Sequence, residues 1–450
     1  MRDMLAGKAR TLLVYGVFTL TAGFSFENYL LITLGLMLLF SAVVSLPAFQ
    51  SAVNIEDIEV FRELEKTKLF KDDFLHVKVV VRNRGNRRFD FIDIEDRFDT
   101  DVFRRVLGEH FISTRIDPRS EVRFSYVLEP KIRGEQMLGP LVVTLRDRLG
   151  FNAEERVVPN SIDKLLIYPP YADIRKIEAM GAKRAAGRQF GMHRSRHKGI
   201  GSEFYGMREY QYGDEFRKID WKASARSGQM ELGHFVVREF ETEKNINVII
   251  IMDSSESMGA GSLENTKYEY SVRAAMLLAK LALEHRDSVG LFIFSDEKHF
   301  EFVRPSANHS HFFILLDYLA RAKPTGKKKI KEAIEFFNRR FQKRSLIFLL
   351  TDLETKTKDI REAFKNLRIF GHEVIVINPF APWFEIYETE LTAADKALAE
   401  AIAEEMMEHI LTVRKEARAF NVPIITVGPD EIMRRVLREY NEAKKKGKAY

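Results

Sequence analysis

The sequence contains no cysteine in its 450 residues, and tryptophan occurs only twice. Without cysteine the chain forms no disulfides, uses no thiolate as a nucleophile and offers no cysteine ligand to zinc. A large excess of basic charge is also missing, because a net charge of +6 is small for this length and does not indicate a nucleic-acid-binding protein. The composition, 45% hydrophobic and 30% charged, is typical of folded protein, and the length allows two or three domains.

Charged residues are absent from two stretches near the N-terminus, residues 11–26 and 29–53. The second stretch is rich in leucine and long enough to cross about 30 Å of hydrocarbon, whereas the first is short for a span. Three basic residues precede the first stretch, and only Glu27 lies between the two. We therefore predict a transmembrane helical hairpin over residues 1–53 and two-pass attachment to the cell membrane, with the soluble domains facing the cytoplasm. A cleaved signal peptide is the alternative, but it leaves the second stretch unexplained.

Residues 54–170 change to short strand-like runs separated by glycine, proline and asparagine, such as Val77–Arg82 and Glu121–Leu128. This pattern predicts an antiparallel β-sandwich with one dry and one wet face on each sheet. No cluster of potential catalytic groups accompanies these runs. We expect a structural or interaction module.

An apolar, β-branched run stops abruptly at Asp253, and hydroxyls follow at Ser255 and Ser257. Such a continuous run predicts a central parallel strand buried on both faces, and open α/β sheets bind ligands just beyond the carboxyl ends of such strands. The three side chains offer only oxygen, which suits a hard cation such as Mg²⁺ or Mn²⁺. The alternative is an Asp/Ser turn that opens the next helix.

The remainder of residues 245–450 alternates between strand-like and helical patterns, which predicts a doubly wound, mainly parallel α/β domain. A second strongly apolar run ends at Asp352, so neighbouring parallel strands would bring Asp253 and Asp352 to one edge of the sheet. Thr325 lies in a loop before a predicted helix and adds a hydroxyl there, or else caps that helix.

Residues 171–244 are predicted to be a linker followed by a segment in which aromatic and charged residues alternate over 202–225. The segment is either a structural clamp or a site for a partner protein. A basic run over 191–199 is either a solvated loop or a binding site for phosphate or for an acidic protein. The residues of the segment that we predict to bind a partner are Arg208, Asp214, Arg217, Asp220 and Trp221.

The ordered pattern Glu203-Phe-x-Gly-x-Arg-Glu-Tyr-x-x-Gly-Asp-x-x-Arg-x-Ile-Asp-Trp-Lys-x-Ser-Ala-Arg226, followed by Asp253-x-Ser-x-Ser, resembles the family catalogued as domain of unknown function 58. The resemblance implies a von Willebrand factor A-like domain with a metal-ion-dependent adhesion site. It also implies a role in the assembly or maturation of protein complexes, since members are often encoded beside MoxR-type AAA+ ATPases. The metal ligands that it implies are Asp253, Ser255, Ser257, Thr325 and Asp352.

Three consecutive lysines, Lys327, Lys328 and Lys329, depart from the small residues that often surround the corresponding threonine in adhesion domains. Their charge would weaken metal binding by Coulomb repulsion. The same charge would attract an acidic partner, whose Asp or Glu side chain would complete the metal's coordination shell. We therefore predict a protein-binding module rather than an enzyme, with partner contacts from these lysines.

Two other functions remain as alternatives. The first is a Mg²⁺-dependent hydrolase or phosphotransferase that uses Asp253, although Ser255 occupies the position where aspartyl-phosphate enzymes commonly carry a second Asp. No general base or phosphate-binding glycine-rich loop accompanies it. The second is nucleic-acid binding through residues 183–198, which lack a recognisable reader motif.

Overall fold

The computed structural model describes residues 7–52, 57–147, 152–172, 174–175, 198–199, 203–226, 235–241, 245–262, 265–296, 300–385 and 393–445. The chain divides into two compact units, Met1–Tyr171 and Ala172–Tyr450. The segment predicted over 171–244 therefore falls in the second unit except for its first residue, Tyr171. Most of the basic run over 191–199 lies outside the described residues.

The first unit begins with two helices, α1 (Gly7–Ser25) and α2 (Tyr29–Ala52), which pack against each other. A turn at Glu27 joins them, and the Asn28 side chain accepts a hydrogen bond from the Leu30 amide (3.0 Å) at the start of α2. The predicted helical pair is confirmed. Within the described part of the chain, no helix is long and apolar enough to cross a membrane, so the predicted spans are not found.

The rest of the first unit is built from β-strands, as the sequence predicts. The strands form two four-stranded antiparallel sheets, in the orders β1-β3-β7-β5 and β10-β9-β4-β6, and a three-stranded sheet, β2-β11-β8. Side chains from all three sheets share one hydrophobic core. The strands are β1 (Ile58–Leu64), β2 (Lys68–Phe70), β3 (Leu75–Asn83), β4 (Phe89–Asp96), β5 (Phe103–Gly108), β6 (Phe111–Ile116), β7 (Glu121–Pro130), β8 (Gly134–Leu138), β9 (Leu141–Arg146), β10 (Ala153–Val157) and β11 (Asp163–Tyr168).

The second unit opens with a small antiparallel sheet, in which β14 (Val236–Glu241) lies between β12 (Lys198–Gly199) and β13 (Glu203–Glu209). A 3₁₀ turn and the short helix α3 (Trp221–Arg226) follow β13 along the chain. These elements contain the segment of alternating aromatic and charged residues.

The main sheet of the second unit has six strands with helices between them. A two-residue ribbon, β16 (Gly261–Ser262) with β17 (Asn265–Thr266), precedes its first helix. The strands of the sheet are β15 (Asn247–Asp253), β18 (Ser288–Phe294), β19 (Phe300–Ser306), β20 (Leu346–Leu350), β21 (Glu373–Pro379) and β22 (Ile424–Val427). The helices are α4 (Lys267–Glu284), α5 (His311–Arg321), α6 (Ile330–Arg340), α7 (Thr357–Ile369), α8 (Ala381–Glu385), α9 (Ala393–Arg418) and α10 (Ile432–Lys445).

The order of the six strands is β19-β18-β15-β20-β21-β22, and all neighbours are parallel except the edge pair β18–β19. The predicted doubly wound, mainly parallel sheet is therefore present. After β15 the chain adds β18 and β19 on one side and then returns to add β20 on the other. The order in which the chain adds strands to the sheet thus reverses between β15 and β20. Ligands of open α/β sheets bind at such a reversal, beyond the carboxyl ends of the strands.

Candidate functional site

Asp253 is the last residue of the central strand β15 and is fully buried. The strand is apolar along its length because parallel neighbours and helices cover both of its faces. One carboxylate oxygen of Asp253, Oδ1, accepts a hydrogen bond from the Ser255 amide (2.9 Å). The other, Oδ2, accepts one from the Thr351 hydroxyl (2.7 Å), which follows the neighbouring strand.

Asp352 lies just beyond the end of β20, beside Asp253, as the sequence predicts. Its Oδ1 accepts a hydrogen bond from the Glu354 amide (3.1 Å), and its Oδ2 accepts one from the Lys267 ammonium (2.8 Å). The side chains of Asp352 and Lys267 are both fully buried. A buried carboxylate is costly unless it is paired in this way.

Lys328 joins the two carboxylates. Its Nζ lies 3.0 Å from Asp253 Oδ2 and also forms an ion pair with Asp352 Oδ1. Its side chain is only 5% exposed. The charge of Lys328, which the sequence predicts to contact a partner, is directed into the site and is balanced there by the two carboxylates.

Lys267 is the main residue of the site that the sequence analysis missed. Its ammonium also lies 2.7 Å from Glu354 Oε1. It is the first residue of α4, where a positive charge opposes the helix dipole. A lysine at the first position of a helix is thus a weak sequence signal that a carboxylate lies nearby.

The hydroxyl residues gather at the same edge. Ser255 Oγ and Ser257 Oγ are 3.2 Å apart. The amide of Thr325 donates to the Ser254 carbonyl (2.8 Å), which ties the loop of the exposed Thr325 to the end of β15. The alternative that Thr325 caps the next helix is wrong, since the N-cap residue of α6 is Lys329.

The other two lysines of the run lie differently. Lys327 is exposed, whereas Lys329 is partly buried and its amide donates to the Ser295 carbonyl (3.0 Å). Gly326 before them has a φ of 73°, and a Cβ there would lie 2.8 Å from Asp296 Oδ2. The positive φ favours glycine at this position, and it sets the direction in which the three lysines leave the loop.

A divalent metal fits the serine hydroxyls of this site but not its carboxylates. Two ligands of an octahedral Mg²⁺ lie about 3 Å apart, given metal–oxygen distances of roughly 2.1 Å, and the 3.2 Å between the serine hydroxyls is close to this. The carboxylates do not fit, because the Lys328 ammonium already contacts both Asp253 and Asp352. A metal ion bound to the same oxygens would meet this positive charge at close range. With Lys328 in this position the residues do not fit a divalent ion.

The charged residues that follow β13 pair with one another. Arg208 forms two parallel hydrogen bonds to Asp214 (2.6 Å each), and these bonds, with one from the Gln211 amide, lower the pKa of Asp214 to about 2. Asp220 accepts hydrogen bonds from Arg238 Nε (2.8 Å) and from the Ala223 amide (3.0 Å) at the start of α3. These contacts fit the structural interpretation of Arg208, Asp214 and Asp220.

Trp221 and Arg217 remain exposed beside these pairs. The Trp221 side chain is 53% exposed, and one edge of its ring packs on Phe235 at a centroid distance of 5.8 Å. Phe216 and Tyr212 of the same segment are also exposed. Large apolar side chains on the surface of one short segment are characteristic of interaction sites.

Residues 206–385 match the family model described as "Protein of unknown function DUF58". The resemblance stated from the sequence is thereby confirmed over this range, which contains every predicted metal-site and partner-binding residue. The protein YeaD of Bacillus subtilis (strain 168), described as uncharacterized, is 25% identical over 206 residues. This alignment covers 45% of the chain and 49% of YeaD, so the chain spans about half the length of this relative.

Two solved structures are similar to part of the chain. One is an aerotolerance-related membrane protein from Bacteroides fragilis NCTC 9343, with 21% identity and a TM-score of 0.31 over 44% of this chain and 100% of the other. The second is the SpRpn10 VWA domain, with 12% identity and a TM-score of 0.28 over 44% of this chain and 95% of the other.

Proposed function

We propose that this chain is a non-catalytic protein-binding module and that its partner binds at the carboxyl edge of the main sheet. The observation that carries the proposal is the convergence of buried carboxylates and hydroxyls from three loops at the β15–β20 reversal. Thr325 and Lys327 are exposed at this edge, as are Glu256 and Glu354 in the loops after β15 and β20.

The partner contact in this proposal is an acidic side chain. Lys327 is exposed beside the edge and favours a carboxylate by Coulomb attraction. The class of partner that the family resemblance suggests is a MoxR-type AAA+ ATPase, with a role in the assembly or maturation of protein complexes. Mg²⁺ or Mn²⁺ at Asp253, Ser255, Ser257, Thr325 and Asp352 stays a prediction that would require Lys328 to leave its position.

Trp221 and Arg217 form a second contact surface in the proposal. Both are exposed, while the Arg208–Asp214 and Asp220–Arg238 pairs hold the backbone around them. Aromatic and arginine side chains contribute most of the binding energy at many protein interfaces. The paired residues therefore act as supports of this surface.

Association with the cell membrane, with the second unit on the cytoplasmic side, completes the proposal. Its support is the set of large apolar side chains exposed on α1 and α2, which includes Phe18, Leu30, Met37 and Phe40. Flotation of the full chain with lipid vesicles tests this part. We expect Met37→Asp with Phe40→Asp to reduce flotation, whereas Phe313→Asp, at an exposed position of α5, should not.

The enzymatic alternative gains no support from this geometry. A carboxylate that accepts a phosphoryl group must be accessible to it, yet Asp253 is fully buried and paired with Lys328. Absence of phosphoester hydrolysis by the purified chain is the expected result.

Charge reversal at the edge tests the binding proposal. The purified chain is titrated against a purified MoxR-type AAA+ ATPase, and Lys327→Glu is expected to weaken binding by about tenfold or more through like-charge repulsion. The matched control is Lys343→Glu, because Lys343 is equally exposed but precedes β20, at the opposite edge of the sheet. Equal effects of the two substitutions would contradict binding at the carboxyl edge.

A further inference from the structure

We propose that the Lys328 ammonium, and not a divalent metal, is the resident cation of the carboxyl edge. Only the statement about a partner rests on the proposed function, because the identity of the cation can be measured without a partner. It departs from the metal site that the family resemblance implies, and it rests on the contacts of Lys328, Asp253 and Asp352.

Lys328 already occupies the space between the two carboxylates. Its Nζ lies between one oxygen of each carboxylate, 3.0 Å from Asp253 Oδ2 and in contact with Asp352 Oδ1. These are oxygens of the two acidic residues that a metal at this edge would use. A side chain that is 5% exposed is held there by the loop and is not a mobile surface group.

The charges around the edge also oppose the binding of a divalent ion. Lys267 binds Asp352 Oδ2 (2.8 Å) and Glu354 (2.7 Å), so the site already pairs three carboxylates with two ammonium groups. A divalent ion in addition would leave an excess of positive charge in a buried place, which is unfavourable. Lys267 also fixes the Asp352 carboxylate, which therefore cannot turn away from Lys328 to receive a metal.

A lysine can perform the binding role of a metal at this edge. An ammonium has three N–H donors, and the two carboxylates use at most two of them. The remaining donor corresponds to the open coordination position of a metal, because it can receive an acidic side chain from a partner. The hydroxyls of Ser255 and Ser257, which lie 3.2 Å apart, supply further donors in the loop after β15.

The experiment is a Mn²⁺ titration of the full chain, purified with a chelator and followed by electron paramagnetic resonance of free Mn²⁺. The wild type is expected to bind no Mn²⁺ up to about 1 mM. Lys328→Met opens the two carboxylates and should bind Mn²⁺ at least about tenfold more tightly than the wild type. Lys327→Met removes the same charge from the exposed neighbour and should give no such gain, and Asp253→Asn combined with Lys328→Met should abolish it.

Two results would overturn the proposal: submillimolar Mn²⁺ binding by the wild type, or a folded Lys328→Met protein that gains no binding. Lys328→Gln provides a second neutral variant if the methionine variant does not fold. If neither folds, the wild-type titration decides, because binding contradicts the proposal and its absence supports it.

Partner binding separates this proposal from the proposed function. Lys327→Glu tests whether the edge binds the partner, whatever the cation. Loss of partner binding in chelator would contradict the lysine proposal and leave the binding function standing. An unaltered affinity of Lys327→Glu would contradict the binding function, while the Mn²⁺ titration would still report on the cation.

Discussion

The ammonium of Lys267 lies 2.8 Å from Asp352 Oδ2, and both side chains are completely buried. Removal of one partner from a buried ion pair leaves an uncompensated charge, which is more harmful than the loss of the pair itself. The pair is therefore a requirement for the stability of the site whether or not a partner protein binds.

Lys267→Met is expected to lower the free energy of unfolding by roughly 3–5 kcal/mol, because Asp352 and Glu354 lose their shared cation. Chemical denaturation of the full chain measures this. The matched control is Lys280→Met on the same helix, whose ion pair with Glu284 is partly exposed and should be worth less than about 1 kcal/mol. Similar losses of unfolding free energy for the two variants would contradict the prediction that the buried Lys267 pair is more important for stability than an exposed pair.

Much of the second unit was predictable because buried parallel strands have a strong sequence signal. The apolar run before Asp253 is the strand β15, and the run before Asp352 is β20. Parallel pairing then brings both carboxylates to one edge without any further information. The strand β5 of the first unit is harder to predict, because every residue after Phe103 is exposed and no alternation is visible.

The inward direction of Lys328 was not predictable from three identical residues in a row. It depends on the path of the loop, which Gly326 sets with a φ of 73°, and on the start of α6 at Ile330. The role of Lys267 depends on a contact between residues 85 positions apart, and pairings of this kind have no local pattern. The ion pairs of the site therefore depend on contacts that form only in the folded chain.

A buried histidine, His372, makes stability depend on pH. Its side chain is fully buried, its ring lies 5.8 Å from the Phe337 ring, and burial lowers its pKa to about 4. The unfolded chain has a histidine pKa near 6.5, so between about pH 6.5 and 4 the unfolded state binds the proton more readily. Stability from this residue is thus complete above about pH 6.5 and falls as the pH is lowered towards 4.

His372→Leu should reduce the loss of stability between pH 6.5 and 4, by at most about 3 kcal/mol. Denaturation of the full chain at several pH values measures the difference. His309→Leu is the matched control, because His309 is exposed. Parallel pH profiles for the wild type and His372→Leu would contradict the prediction.

In the first unit, Asp96 is completely buried between two donors. It accepts hydrogen bonds from Arg62 Nε (2.8 Å) and from the Tyr126 hydroxyl (2.6 Å). Tyr126→Phe removes one neutral donor and should cost about 1–3 kcal/mol. Arg62→Met leaves the carboxylate without its cation and should cost roughly 3–5 kcal/mol.

Hydrogen exchange of the β3 and β7 amides measures these losses within the first unit. The exposed Arg104 pairs with Glu129, so Arg104→Met should cost less than about 1 kcal/mol. A larger effect of Tyr126→Phe than of Arg62→Met would contradict the assignment of Arg62 as the cation that stabilises Asp96.

In the segment around α3, Asp220 is expected to stabilise the fold, whereas Trp221 is expected to contact the partner. Asp220→Ala removes both the cap of α3 and the partner of Arg238, so it should destabilise this segment by about 1 kcal/mol or more. Trp221→Ala removes a ring that is 53% exposed and should change stability much less. Hydrogen exchange of the amides of β14 distinguishes the two variants, since the Val236 amide donates to Ser224 in the turn that Asp220 holds.

In the binding titration the order of the two effects should reverse. Trp221→Ala should weaken association with the ATPase while hydrogen exchange stays at the wild-type rate. If Trp221→Ala accelerates exchange as much as Asp220→Ala does, then Trp221 is a structural residue and the proposed second contact surface is wrong.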